Sequence, residues 1–239
     1  MAPHSPPLTQ PPLLTALTEH PRRPGRYVAV LDGTPVGALS VEAIATLKLQ
    51  VGGPLDAERL EALHAAVRVT TCHDKALDAL ARRARARGEL ARWLRDREFT
   101  AAEIDPILDR LTALGLLDDR AFARSFVHSR MTGRAFGPRR VAAELGRRGV
   151  DRRLIDEALA EFRAEQERDA DRSLGADGDA DDAPVARAAA TRLRALRDLD
   201  PMVARRRLVG WLARRGFELG ESLRTAKRLL PERGTATLD

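Results

Sequence analysis

Cys72 and His73 are neighbours, and a thiol beside an imidazole is the pairing that can activate a cysteine nucleophile. On a helix, adjacent side chains point in different directions, and no nearby group orients the imidazole. His73 therefore reads as a helix-start residue. Asp118-Asp119 resembles a carboxylate pair for acid–base work, yet a place just ahead of a helix already explains both by capping and by the helix dipole. The histidines at 4, 20, 64, 73 and 128 show no metal-ligand spacing, and His128, beside Phe126-Val127, reads as an ordinary partly buried residue. One cysteine can build neither a thiolate cluster nor an internal disulfide, which suits a reducing compartment. With no phosphate loop and no GxGxxG, the chain reads as a protein that is not an enzyme and uses no cofactor or metal.

The other chemistry on offer is that of arginine. Lys and Arg number 41 against 35 Asp and Glu, and only Lys48, Lys75 and Lys227 are lysines. Guanidinium groups match phosphate and carboxylate geometry, so this bias suits an anionic partner. The positive charge is concentrated: residues 82–97 carry net +5, residues 130–153 net +6 and residues 187–215 net +7. Arg139-Arg140 and Arg147-Arg148 lie seven or eight residues apart and so share a helix face, and Arg205-Arg206-Arg207 with Arg214-Arg215 repeat the arrangement. Stacked units would carry these pairs as an intermittent basic stripe. Aromatics make up only 4% of the chain, which disfavours a base-stacking platform.

The elements that position these arginines can be placed by their punctuation. Residues 1–25 hold seven of the 14 prolines and read as a disordered leader. Tyr27–Leu31, Asp32-Gly33 and Thr34–Leu39 predict a hairpin, with Pro35 marking an edge strand. Ser40 should cap a short helix to about Leu49, and Asp56 another over Glu58–Val69. Thr71 with Asp74 suggests a weak capping box for a helix running to Arg87, and Gly88 parts it from the next helix, Glu89–Arg97. Thr100 and Glu103 form a full capping box ahead of Ile104, Ile107, Leu108 and Leu111. Gly115 ends that helix, Asp119–Met131 is the next, and Gly137-Pro138 and Asp200-Pro201 open two more.

The pattern repeats. Five residues after Leu94, Leu145 and Leu212 come Phe99, Val150 and Phe217, each preceded by a turn residue, Glu98, Gly149 or Gly216. Each copy is three helices, too small to bury its apolar face alone, so the copies should stack. Trp93 and Trp211, one residue before two of the anchors, are expected in packing between helices. The expected fold is all-α, tandem three-helix repeats in an extended arrangement, with a small N-terminal β-hairpin/helix segment. Its parts are a leader (1–25), the hairpin with short helices (26–70), repeats at 71–117 and 118–164, an acidic linker or helix extension (165–184), a third repeat (185–230) and a flexible tail (231–239). No apolar run is long enough to span a bilayer.

Gly115-Leu116-Leu117-Asp118-Asp119-Arg120-Ala121-Phe122-Ala123-Arg124-Ser125-Phe126-Val127, then Arg130, then Gly137-Pro138-Arg139-Arg140-Val141-Ala142-Ala143-Glu144-Leu145-Gly146-Arg147-Arg148-Gly149-Val150, closely resembles the RecX regulatory family. The resemblance implies a bacterial cytoplasmic protein of tandem three-helix repeats that lies in the groove of the RecA recombinase filament. It implies restraint of strand exchange, ATP turnover and co-protease activity, and a place in DNA recombination, DNA repair and the SOS response. Carried onto this chain, the first motif is Asp118, Asp119, Phe122, Phe126 and Arg130, and the second is Gly137, Arg139, Arg140, Glu144, Leu145, Arg148, Gly149 and Val150. Phe122, Phe126, Val141, Leu145 and Val150 are expected in the core, with Gly149 at the helix-ending turn. The candidates for contact with the filament or its DNA are Arg130, Arg139, Arg140, Arg147 and Arg148, with Arg205, Arg206, Arg207, Arg214 and Arg215. Glu98 departs from the glycine that the family repeats, so the first unit's turn is expected to be looser.

The expected partners are thus the RecA filament and single- or double-stranded DNA, with no membrane, and the protein is expected to be a monomer. The alternative is a non-enzymatic DNA-binding protein acting through a basic helical surface. Against it, the helix after the second turn, Arg152–Phe162, is no richer in arginine than the helix before. Asn is absent and Gln occurs only at 10, 50 and 166, so base-reading amides are scarce.

Overall fold

Alternating side chains on either side of Asp32-Gly33 pair two strands, β2 (Arg26–Leu31) and β3 (Thr34–Ser40), in this computed structural model, which describes residues 11–173 and 184–231. Asp32 and Gly33 have φ of 45° and 80°, the left-handed pair that a tight hairpin demands. Pro35 lies on an edge strand, as its missing N–H requires. The leader expected to be disordered as far as residue 25 is instead structured from Leu14 onward: β1 (Leu14–Glu19) pairs antiparallel with β2 and makes a three-stranded sheet. Prolines 11, 12, 21 and 24 flank this strand without interrupting its ladder, and Leu14 is wholly buried with Leu39 and Leu63. Proline density hid a six-residue strand. Residues 1–10 of the leader lie outside the described residues.

Ser40 caps α1 (Val41–Thr46) and Asp56 caps α2 (Ala57–Arg82), each side chain accepting a backbone N–H of the first turn. The break expected at Thr71 does not occur, because α2 runs on for 26 residues. No Gly or Pro interrupts Val69 to Asp74, and the Thr71 hydroxyl donates to the Val67 carbonyl one turn back. Asp74 instead accepts from Arg26, at 2.7 Å from Nη2. Gly88, expected between helices, lies inside α3 (Arg87–Arg95).

The turn after α3 and the start of α4 (Ala101–Ala113) form one electrostatic knot. Glu103 accepts from the Thr100 N–H at 2.7 Å, completing the expected capping box, and from Arg68 Nε at 2.6 Å. Arg68 foremost, then Thr100, holds its carboxyl down at about 2, against the opposing effect of burial. A depressed acid stabilises the fold above its ordinary value of 4.5, and that contribution disappears as pH falls towards 2. Acid titration of Glu103→Gln, followed by circular dichroism, should therefore lose less stability than wild type over this range and start from a lower value at pH 7.

Glu98 closes the same turn without glycine. Its φ is +65°, Phe99 N–H returns to the Leu94 carbonyl at 3.4 Å, and Arg68 Nη2 donates to the Glu98 carbonyl at 2.9 Å. The turn is not looser, since Arg68 stabilises a left-handed conformation that glutamate dislikes. Glu98→Gly should raise stability by about 1 kcal/mol, measured by urea unfolding, through relief of that strain.

The chain divides into two compact units: the first runs to Ala84 and takes in Leu90–Leu116, and the second joins Arg85–Glu89 to the chain from Leu117. In the second, α5 (Asp119–His128) leads through a π-helical turn (Ser129–Gly133) to α6 (Pro138–Arg147) and α7 (Arg152–Ser173). Then come α8 (Pro184–Leu193), a short 3-10 turn (Arg194–Leu196), α9 (Pro201–Arg214) and α10 (Leu219–Leu229). One core gathers Ala123, Val127, Val141, Leu145, Ile155 and Phe162, and the next Ala188, Leu196, Leu208, Leu212 and Phe217. Of the segment read as linker or extension, residues 165–173 continue α7, whereas 174–183 lie outside the described residues, as do 232–239 of the tail. The fold is mostly helical, several helix bundles with an N-terminal β-hairpin, as the repeats required.

Candidate functional site

The ten candidate arginines divide into two kinds. Arg148 and Arg215 belong to the scaffold. Each stands three residues after its repeat's anchor leucine, as does Arg97, and all three lie over an aromatic ring. Arg97 is 3.5 Å from the centre of Trp93, Arg215 is 4.3 Å from that of Trp211, and Arg148 is 4.9 Å from that of Phe126. The second repeat has Glu144 at the tryptophan position, so its turn arginine borrows a ring from α5. The recurrence of Arg97, Arg148 and Arg215 at one offset was a sequence signal for architecture that charge counting overlooked.

Further bonds fix these side chains. Arg148 Nη1 pairs with Glu89 at 3.0 Å, and Arg215 Nη1 donates to the carbonyls of Arg134 and Ala135. Burial pushes Arg215 below its ordinary pKa, and the charge of Arg140 adds to the effect. Arg130 lies 4.8 Å from the Phe126 ring and 3.6 Å from Glu144, whose other oxygen is 3.3 Å from Arg140. Arg140 also covers Phe136, at 3.9 Å. Arg205 Nε donates to the Leu230 carbonyl and ties α9 to the end of α10. The structure thus brings Arg130, Arg140, Arg148 and Arg215 together as a lattice of stacked rings and ion pairs. Phe122 and Phe126 are half-buried rather than core; they stack 5.9 Å apart, and Phe126 serves as the platform for two guanidiniums. Val141, Leu145 and Val150 are core as expected.

Arg139, Arg147, Arg206, Arg207 and Arg214 are exposed. Arg139 makes a long 3.9 Å approach to Glu218, while Arg207 and Arg214 are two turns apart on α9 and share a face. Arg140 is exposed as well, though held over Phe136 and beside Glu144, and the other five guanidiniums at the surface are ones that a partner could reach.

Glycine sets how closely the turns approach. The Gly137 N–H donates to the Arg215 carbonyl at 2.8 Å and the Arg139 N–H to the Gly216 carbonyl at 3.2 Å. A Cβ on Gly137 would lie 2.3 Å from the Gly216 carbonyl carbon, and one on Gly88 would lie 2.8 Å from Gly149 Cα. The start of α6 therefore docks backbone to backbone on the turn after α9, and the start of α3 docks on the turn after α6 in the same way.

Asp118 and Asp119 are split between two jobs. Asp118 caps α5 through the Ala121 N–H at 2.9 Å, as expected. Asp119 turns away and accepts the Arg87 N–H at 2.7 Å, capping α3 instead; burial raises its pKa. Cys72 is buried, which pushes its thiol up to about 11, and His73 Nδ1 accepts from Arg26 Nη2 at 3.2 Å. His128 is exposed, its ring edge-on to Phe162 at 6.0 Å. Among the described residues no group of three or more His, Cys, Asp or Glu could hold a metal ion, and no helix is long and apolar enough to cross a membrane.

Fold and surface define a class: non-identical three-helix repeats joined by glycine-tight turns, with exposed guanidiniums on a scaffold of stacked ones. Residues 72–111 match the first three-helix domain of RecX and residues 118–159 the second. The chain is 39% identical over 153 residues to the regulatory protein RecX of Streptomyces coelicolor, covering 64% of this chain and 74% of that protein. It is 41% identical over 148 residues to the RecX of Mycolicibacterium vanbaalenii, covering 59% and 72%. A crystal structure of regulatory protein RecX has the same fold, with a TM-score of 0.67 and 21% identity over 89% of this chain and 98% of that one. RecX from Lactobacillus salivarius gives a TM-score of 0.54 at 20% identity, over 68% and 96%. The chain belongs to the RecX family of regulatory proteins.

Proposed function

We propose that this protein binds the RecA recombinase filament in the cytoplasm and restrains its strand exchange, ATP turnover and co-protease activity, without any turnover of its own. The observation that carries this reading is the match to both RecX three-helix domains, at 72–111 and 118–159. Contact falls to the exposed arginines Arg139, Arg147, Arg206, Arg207 and Arg214, while Arg130, Arg140, Arg148, Arg205 and Arg215 hold the surface in shape. Basic faces attract an anionic filament and its DNA over long range, so association is fast and salt-sensitive. Restraint is a population shift, and it requires tighter binding to one filament state than to another.

A second reading, direct binding to DNA, is favoured by one feature: Arg206, Arg207 and Arg214 make a wholly basic patch on α9. Sedimentation separates the two. The protein should pellet with RecA filaments formed on single-stranded DNA at salt concentrations where it no longer pellets with the bare DNA. Equal pelleting with and without RecA across the salt series would make it a DNA binder.

A further inference from the structure

Between α7 and α10 the second unit opens into a groove of about 600 Å³, a size suited to a cluster of partner side chains. Met131, Phe162 and Phe217 form its floor. Its rim is charged and of mixed sign: Arg139, Arg163 and Arg224 stand with Glu218 and Glu221. The aromatic rings are at least nine-tenths buried, 4% exposed for Phe162 and 2% for Phe217, so they offer no open face on which a base could stack. A phosphodiester backbone is negative throughout and would meet two glutamates here. A folded or extended protein segment suits such a rim better, because it can present both signs beside apolar side chains.

The charge left for a partner is positive. Glu221, the third residue of α10, accepts the backbone N–H of Glu218 and also feels the charges of Arg224 and Arg163, so one half-buried carboxylate stands against two guanidiniums. Glu218 has Arg139 at 3.9 Å. Arg163 and Arg224 remain exposed on the rim. We infer that this groove docks a protein segment that carries carboxylates beside aliphatic side chains, the carboxylates meeting Arg163 and Arg224 and the aliphatic groups covering the half-buried Pro138 and Leu159. The inference rests on the proposed action at the RecA filament and places the segment on the filament protein rather than on its DNA. The α9 arginines then serve the nucleic acid, and the groove serves the protein.

The test uses the full chain with Arg163→Glu and Arg224→Glu together, beside a control carrying Arg206→Glu and Arg207→Glu, which changes net charge equally. Circular dichroism checks folding of both. Like charges set against a partner's carboxylates should make the groove variant need about tenfold or more protein for half-inhibition of the RecA ATPase. Its affinity for single-stranded DNA should stay at the wild-type value, while the control loses DNA affinity. Arg163→Lys with Arg224→Lys should retain most of the inhibition. Wild-type inhibition by the groove variant overturns the inference, as does loss of DNA affinity to the same degree as in the control. A change in the oligomeric state of the groove variant overturns it too, because the occupant would then be a second copy. If wild type itself fails to act on RecA, it is the proposed function that falls.

Discussion

Gly137→Ala is expected to destabilise the second unit by roughly 2–4 kcal/mol, among the largest effects of any single methyl group in this chain. The added carbon would sit 2.3 Å from the Gly216 carbonyl carbon and the Phe217 nitrogen, which are backbone atoms that cannot swing aside. Relief would require the turn to retreat and would break the 2.8 Å and 3.2 Å backbone bonds that join it to the start of α6. Gly216→Ala should be at least as harmful, since its φ is +92° and its Cβ would meet Arg140 Cβ at 2.5 Å. Gly146→Ala is the control, because nothing lies within 4 Å of its added carbon and it stands inside α6. That change should stabilise by roughly 0.5–1 kcal/mol. Urea unfolding monitored by Trp211, whose ring lies under Arg215 at the affected turn, reads all three.

Exchanging arginines should separate structure from recognition. Arg148→Ala removes a partner of half-buried Glu89 and one of the guanidiniums over Phe126, and should cost roughly 1–3 kcal/mol. The triple replacement of Arg206, Arg207 and Arg214 by Ala should leave the melting transition nearly unchanged, because exposed side chains away from packed features seldom matter by more than about 0.5 kcal/mol each. The same triple variant should bind filament and DNA more weakly, and its salt dependence should flatten by about one unit of log–log slope for each phosphate no longer neutralised. Thermal melts and binding titrations across a salt series check both halves. A large loss of stability in the triple variant, or unchanged binding by it, would undo the division of the arginines.

Much of this was legible from residue spacing. The anchors Leu94, Leu145 and Leu212 and the turn hydrophobics after them are buried as the repeat demands, and the caps at Ser40, Asp56, Thr100, Asp118, Gly137 and Asp200 stand where their residue types put them. What sequence hid was tertiary choice. Thr71 can cap a helix or bond back to its own, and the absence of a breaker decided for the second. Asp119 can serve the helix that follows it or a helix far behind it in sequence, and the N–H of Arg87 claimed it. Strand β1 was hidden because proline counts describe a stretch, whereas strand pairing depends on which residues within it lack N–H groups. The arginines carried the least information individually, since charge says nothing about whether a ring lies beneath the guanidinium. What marks Arg97, Arg148 and Arg215 in the sequence is their common offset from the anchor leucines, and each lies over a ring.

The most direct measurement is the single-stranded-DNA-dependent ATPase of the cognate RecA, titrated with this protein at two salt concentrations while its own binding to the same DNA is followed in parallel. A filament regulator should inhibit at protein levels too low to coat the free DNA, and the inhibition should weaken as salt rises. Inhibition only in step with coating of the DNA would contradict this and leave a competitor for nucleic acid in place of a filament regulator.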